Sequence, residues 1–90
     1  MAQNFKILSH RNSDNLHLKL MGDFDGSSAF QLLNTLKKNI DVDGKIFIHT
    51  NSLTSVHPFG SKVFHNNVAE LRGGSKKIIF TGDYVEDIAN

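Results

Sequence analysis

Leu16, Leu18 and Leu20 alternate with His17, Lys19 and Met21, a period-two pattern that predicts a strand with one buried face. Phe5, Ile7 and Ser9 alternate in the same way with Lys6, Leu8 and His10, which predicts a shorter strand ahead of it. Between them, Asn12-Ser13-Asp14-Asn15 is a turn sequence, because short polar side chains bond to nearby backbone groups. The two strands therefore read as an antiparallel hairpin. Gly22-Asp23-Phe24-Asp25-Gly26 breaks the second strand, and the spacing then becomes helical: Ala29, Leu32, Leu33, Leu36 and Ile40 form one apolar stripe. Lys37 and Lys38 load its last turn, where cations complement the helix dipole. Ser28 and Gln31 have the spacing of a capping box, with Ser27 as the alternative cap and Asp25 as a loop or cap residue. Asp41-Val42-Asp43-Gly44 closes the segment.

Ile46-Phe47-Ile48 is a continuous apolar run, which suits a central strand covered on both faces. A polar link leads to His57-Pro58-Phe59-Gly60 and a helix from about Ser61 to Arg72, with Val63, Phe64, Val68 and Leu71 as its stripe and Gly73-Gly74 as its stop. Lys77 to Thr81 reads as the last strand, and Tyr84, Val85 and Ile88 as a final short helix. The order strand, strand, helix, strand, helix, strand, helix is that of an α/β domain. Two helical crossovers make three strands parallel, and the first strand adds an antiparallel edge. The expected architecture is a mixed sheet of about four strands with helices packed against it, a single domain over residues 1–90.

With this order in place, the chain resembles a STAS domain (SpoIIAA-like), the family of bacterial anti-sigma factor antagonists and of the cytoplasmic tails of sulfate transporters. The resemblance runs from about Leu16 to Ile88 and rests on two segments. Leu20-Met21-Gly22-Asp23-Phe24-Asp25 stands where the family commonly has a strand, then Gly-x-Leu-Asp, then its first helix. Ile46-Phe47-Ile48-His49-Thr50-Asn51 through His57-Pro58-Phe59-Gly60 stands where the family usually has a strand ending in Asp-Leu-Ser, followed by Asp-Ser-Ser-Gly at the start of the second helix. His49 and His57 replace the two usual aspartates. Pro58 stands at the serine that a kinase phosphorylates in regulatory members, and only Gly60 keeps the pattern of that loop. The resemblance implies a non-catalytic signal-transduction domain of transcription regulation, in the bacterial cytoplasm. It also implies a regulatory protein as partner, such as an anti-sigma factor or a serine kinase-like protein. Proline has no hydroxyl, so the usual phosphoserine is lacking at that position.

Composition narrows the alternatives. Ten basic against nine acidic residues give a formal charge of +1, too weak a field to predict nucleic acid or anionic lipid as partner. The absence of cysteine removes disulfides, thiolate ligands and cysteine nucleophiles, and fits a reducing compartment. No N-terminal apolar segment follows Met1, and no run approaches the roughly 20 apolar residues that span a bilayer, so a cytoplasmic location is expected. No P-loop, dinucleotide fingerprint or nucleophile elbow is present, which points away from an enzyme and from any cofactor. His49 and His57, with Asp23 or Asp25, define a second reading: a rim sensing a small molecule or a metal ion, since two imidazoles and a carboxylate suit zinc. Against it, no His-x-x-x-His pair lies on one helix and no glutamate stands ready at the site. His10, His17 and His65 read as solvent-facing or partly buried. The candidate partner-binding surface comprises Asp23, Phe24, Asp25, Ser55, His57, Pro58, Phe59 and Ser61, with Val56 beside them. Phe59 is its anchor if exposed and a core residue if not. Exposed sheet edges leave a homodimer open.

Overall fold

The computed structural model describes residues 4–12, 14–39, 44–68 and 78–89. The hairpin forms as expected: β1 (Lys6–Asn12) pairs antiparallel with β2 (Asn15–Phe24), with Ile7 opposite Leu20 and His10 opposite His17. β2 runs parallel to β3 (Ile46–Val56), and β3 parallel to β4 (Ile78–Thr81), so the sheet order is β1-β2-β3-β4. Parallel neighbours cannot be joined by a tight turn, and α1 (Gly26–Asn39) makes the β2-to-β3 crossover. α2 (Pro58–Val68) follows β3, and α3 (Val85–Ala89) follows β4.

Alternation places Leu16, Leu18, Leu20, Ile46 and Ile48 on one face of the sheet. They meet Leu32, Leu33 and Leu36 of α1, Val63 and Phe64 of α2, and Ile88 of α3 in one buried cluster. Each such side chain contributes about 1.5–3 kcal/mol on full burial, so this cluster is the main drive to fold. Phe24 meets Phe5 and Phe64 edge-on at 5.9 and 6.4 Å, and Phe64 meets Phe80 at 5.7 Å. Among the described residues, the helices lie on this face alone. Phe47 points the other way and is half-buried, so among the described residues helices cover the Ile46–Ile48 segment on one face and not on both.

Several boundaries differ from the sequence reading. β2 continues through Gly22 to Phe24, because Gly22 adopts a φ of 92° beside a slip in the ladder and lets the strand bend without ending. β3 runs on to Val56, and the supposed polar link is strand. Its backbone pairs with β2 up to Phe24, while Asn51 and Thr54 turn to solvent, so no apolar alternation marks the segment. α2 begins at Pro58 rather than Ser61, since the fixed φ and missing N–H of proline suit the first helical position. The expected end of α2, the Gly73-Gly74 stop, Lys77, and residues 40–43 lie outside the described residues.

β4 pairs only with Ile46–His49, leaving the upper half of β3 without a strand on that side among the described residues. There the fully buried Thr50 hydroxyl donates to the Thr81 carbonyl at 2.7 Å and accepts from the Tyr84 N–H at 3.1 Å. The Tyr84 hydroxyl donates to the Thr54 carbonyl at 3.3 Å. Among the described residues, no helix is long and apolar enough to cross a membrane.

Candidate functional site

Because β2 and β3 are parallel, their carboxyl ends lie side by side, with Asp23 opposite Ser55 and Phe24 opposite Val56. A helix leaves each end. The His57 N–H donates to the Phe24 carbonyl at 2.9 Å, which ties the start of α2 to the start of α1. Asp25 is the cap of α1: its Oδ1 accepts from the Ser28 N–H and the Ser27 hydroxyl, both at 2.9 Å, and its carbonyl accepts from the Ala29 N–H at 3.0 Å. The Ser28 N–H bond holds the Asp25 carboxyl at about 2, below the ordinary 3.8; burial opposes this, and the Ser27 and Ser28 hydroxyls assist. Ser28 itself is fully buried in the first turn, with its hydroxyl 2.8 Å from the Asp23 carbonyl and 3.0 Å from Asp25 Oδ1. The Ser28/Gln31 capping box is therefore replaced by an aspartate cap that begins the helix earlier. Across the strands, the Ser55 hydroxyl donates to Asp23 Oδ1 at 2.6 Å.

Gly60 packs on the same corner. A Cβ there would lie 2.7 Å from the Asp25 carbonyl oxygen and 2.8 Å from that of Phe24, so only glycine lets α2 approach this closely. Phe59 does not tuck into the core; it is 68% exposed, and its ring lies across Gly26, where a Cβ would meet ring carbons at 2.9 Å. Phe30, one turn along α1, is 54% exposed. Sequence reasoning passed over Phe30, although its place outside the Ala29/Leu32/Leu33/Leu36 stripe was the signal that could have found it. Asp23, Asp25, Ser55, His57, Pro58, Phe59 and Ser61 thus gather at one corner. Phe24 does not join their surface: it is wholly buried between Phe5 and Phe64 and belongs to the core.

The histidine rim is not formed. His49 sits in the lower half of β3 and His57 follows its end, so the intervening strand separates them by on the order of 20 Å. His49 instead meets His17, with Nε2 2.9 Å from His17 Nδ1, and its own Nδ1 is 2.6 Å from the Thr81 hydroxyl. Burial lowers the His49 pKa below the ordinary 6.5, and the neighbouring His17 lowers it further. His17, read from sequence as a bystander, stacks on Phe47 with ring centres 4.9 Å apart. Among the described residues, no group of three His, Cys, Asp or Glu side chains could hold a metal ion.

No family model matches the chain, and no curated protein does. Solved structures do. A crystal structure of Mglu superposes with a TM-score of 0.71 at 14% identity, over 84% of this chain and 19% of that one. An uncharacterized protein of the DUF3478 family from Shewanella loihica PV-4, with a SpoIIAA-like fold, superposes with a TM-score of 0.56 at 15% identity, over 96% of this chain and 74% of that one. The fold is SpoIIAA-like. The chain spans only 19% of the length of Mglu, and identities this low carry the architecture alone.

Within this SpoIIAA-like fold, the corner lies at the carboxyl edge of the parallel strands, where open α/β sheets commonly meet their ligands. The Asp25 carboxylate is engaged in capping, the Ser55 hydroxyl is held by Asp23, and two phenylalanine rings stand out from the early turns of adjacent helices.

Proposed function

We propose that this chain is a non-catalytic regulatory domain that binds another protein through the β2–α1 and β3–α2 corner, similar to an anti-sigma factor antagonist. One observation carries the reading: Phe59 and Phe30 are exposed in the early turns of neighbouring helices, on a corner whose backbone is fixed by the Asp25 cap and the His57-to-Phe24 bond. Large aromatic side chains on a rigid support are the usual anchors of an interface. Asp23, Ser55, His57, Pro58 and Ser61 form the polar surroundings of those anchors. The partner expected from the resemblance is a regulatory protein such as an anti-sigma factor or a serine kinase-like protein.

In this reading the surface is held in one shape and is not switched by phosphate. Pro58 offers no hydroxyl where regulatory members of the family carry the phosphorylated serine. A phosphate on Ser55 would set a second anion against Asp23, its present hydrogen-bond partner at 2.6 Å. The test places a photo-crosslinking amino acid at position 59 and, as a control on another surface, at position 8. Capture of one protein from the native extract by the position-59 probe, abolished by Phe30→Ala, supports the corner. Equal capture from both positions sinks it.

A further inference from the structure

The sheet face that carries no helix among the described residues has its own order. Register sets His10, His17, Phe47 and Ile79 in one row across the strands, and Leu8, Lys19, His49 and Thr81 in the next. Lys6 and Lys45 flank these rows, at opposite Met21 and just before β3. No carboxylate among the described residues stands in either row. Those that flank the rows along the chain are Asp14, in the β1–β2 turn, Asp23, at the far end of β2 and bonded to Ser55, and Asp83, in the exposed turn two residues beyond Thr81. A chain of formal charge +1 therefore separates its charges, with cations and imidazoles gathered on this face.

The ring geometry says what can bind. His17 and Phe47 are parallel within 11° at 4.9 Å, too close for coplanar rings, so they overlap face to face and stand on edge from the sheet. Each ring covers one face of the other, and His10 and Ile79 flank the outer faces in the same row. The outward edges present the positive rim of the aromatic quadrupole and imidazole N–H groups, which suit carboxylate oxygens and give a nucleic-acid base no flat platform for stacking. The His17 and His49 rings are parallel within 3°, with centres 5.2 Å apart, so the facing nitrogens at 2.9 Å point head-on and share one proton between them. When that proton sits on His49 Nε2, the Thr81 hydroxyl donates to His49 Nδ1 and His17 carries its own proton outward on Nε2. One additional proton fits on His17 Nδ1, with the internal bond reversed and His49 donating to Thr81. A second would put two N–H groups head-on.

We propose that this open face, centred on the His17–His49 pair, binds a carboxylate-rich segment of a partner protein, and binds it more tightly as the pH falls. A carboxylate accepting from His17 Nε2–H supplies the counter-charge that the face lacks and so favours the extra proton. Among the described residues, the groups in the rows around the pair are His10 and Lys6 from β1, Lys19 from β2, Lys45 before β3 and the uncharged Ile79 and Thr81 from β4, none of which can supply it; Asp83 lies outside the rows, in the exposed turn after β4. Burial and mutual repulsion keep His49 below its ordinary range in the free protein, which leaves room for the partner to raise it. Uptake of a single proton limits the gain to about tenfold per pH unit.

The experiment measures binding of a fluorescein-labelled deca-aspartate peptide at low ionic strength, at pH 7.5 and 5.5, with ellipticity confirming the fold of every variant. Binding about five- to tenfold tighter at pH 5.5 is expected, with movement of the His17 ring nitrogen resonances on peptide addition. His17→Gln and His49→Gln should bring the ratio close to one, His10→Gln should largely keep it, and Lys19→Glu should weaken binding at both pH values. Phe59→Ala, on the corner, should change nothing, which separates this surface from the proposed function. A pH-independent affinity, a ratio that survives both histidine substitutions, or tighter binding of oligothymidylate or phosphatidylserine vesicles than of the peptide would each overturn the proposal.

Discussion

Replacing Gly60 by alanine adds a single methyl group where α2 rests on the β2–α1 corner. The new Cβ would lie 2.7 Å from the Asp25 carbonyl oxygen, whereas a carbon–oxygen contact normally relaxes to about 3.3 Å or more. The obstacle is the backbone of Phe24 and Asp25 at the end of β2 and not a flexible side chain, so α2 must withdraw by roughly half an ångström. Overpacking of this kind costs about 1–3 kcal/mol. Alanine recovers about 0.5–1 kcal/mol over glycine within a helix, less near its start. The net effect is destabilisation by about 1 kcal/mol, and for a domain of this size a melting temperature lower by roughly 4–8 °C. Withdrawal of α2 also lengthens the His57-to-Phe24 hydrogen bond, now 2.9 Å, so the His57 amide should exchange faster than its neighbours. Thermal and urea unfolding followed by circular dichroism, with amide exchange by NMR, checks both effects. An unchanged or raised melting temperature, the result for an ordinary exposed helix glycine, refutes the close-packed corner.

Asp25→Ala should cost about 1 kcal/mol at neutral pH through loss of the cap. Since the Asp25 carboxyl is held at about 2 against an ordinary 3.8, its contribution is complete above about pH 4 and fades as the pH falls through 2. Urea unfolding of wild type and variant should therefore converge at the acid end. Thr50→Val keeps the shape but leaves the Thr81 carbonyl and Tyr84 N–H without their partner, an expected loss of about 1–3 kcal/mol by the same assay. Phe59→Ala and Phe30→Ala should each change stability by less than about 0.5 kcal/mol, because both rings are mostly exposed, while crosslinking to a partner is lost.

The architecture was legible because two signals agreed: leucines at alternate positions in β2 and at helical spacing in α1, with Ile46 and Ile48 between them. The upper half of β3 was illegible for a physical reason. Asn51 to Ser55 carry little apolar alternation, and the segment is strand because its backbone pairs with β2, a partner distant in sequence. The same distance hid the His17–His49 pair, whose members are 32 residues apart and meet only through the register of β2 and β3. The named loop residues come together at one corner because adjacent carboxyl ends follow from parallel strands. Phe24 was misplaced there because an aromatic residue at a strand end looks the same in sequence whether it points outward or in. Pro58 carried a stronger signal than was used: a proline after a polar residue marks a first helical position, and α2 begins there.

The brevity of β4 has a consequence for how these molecules behave in a crowd. Among the described residues, no strand flanks β3 beyond His49 on the side away from β2, and a rim of that kind is where identical chains stack into fibrils. Tyr84 reaches over from the approach to α3 and occupies the Thr54 carbonyl, so that short terminal helix serves as a stopper against such growth. The same five residues carry Ile88 into the core, so the stopper is held in place by packing.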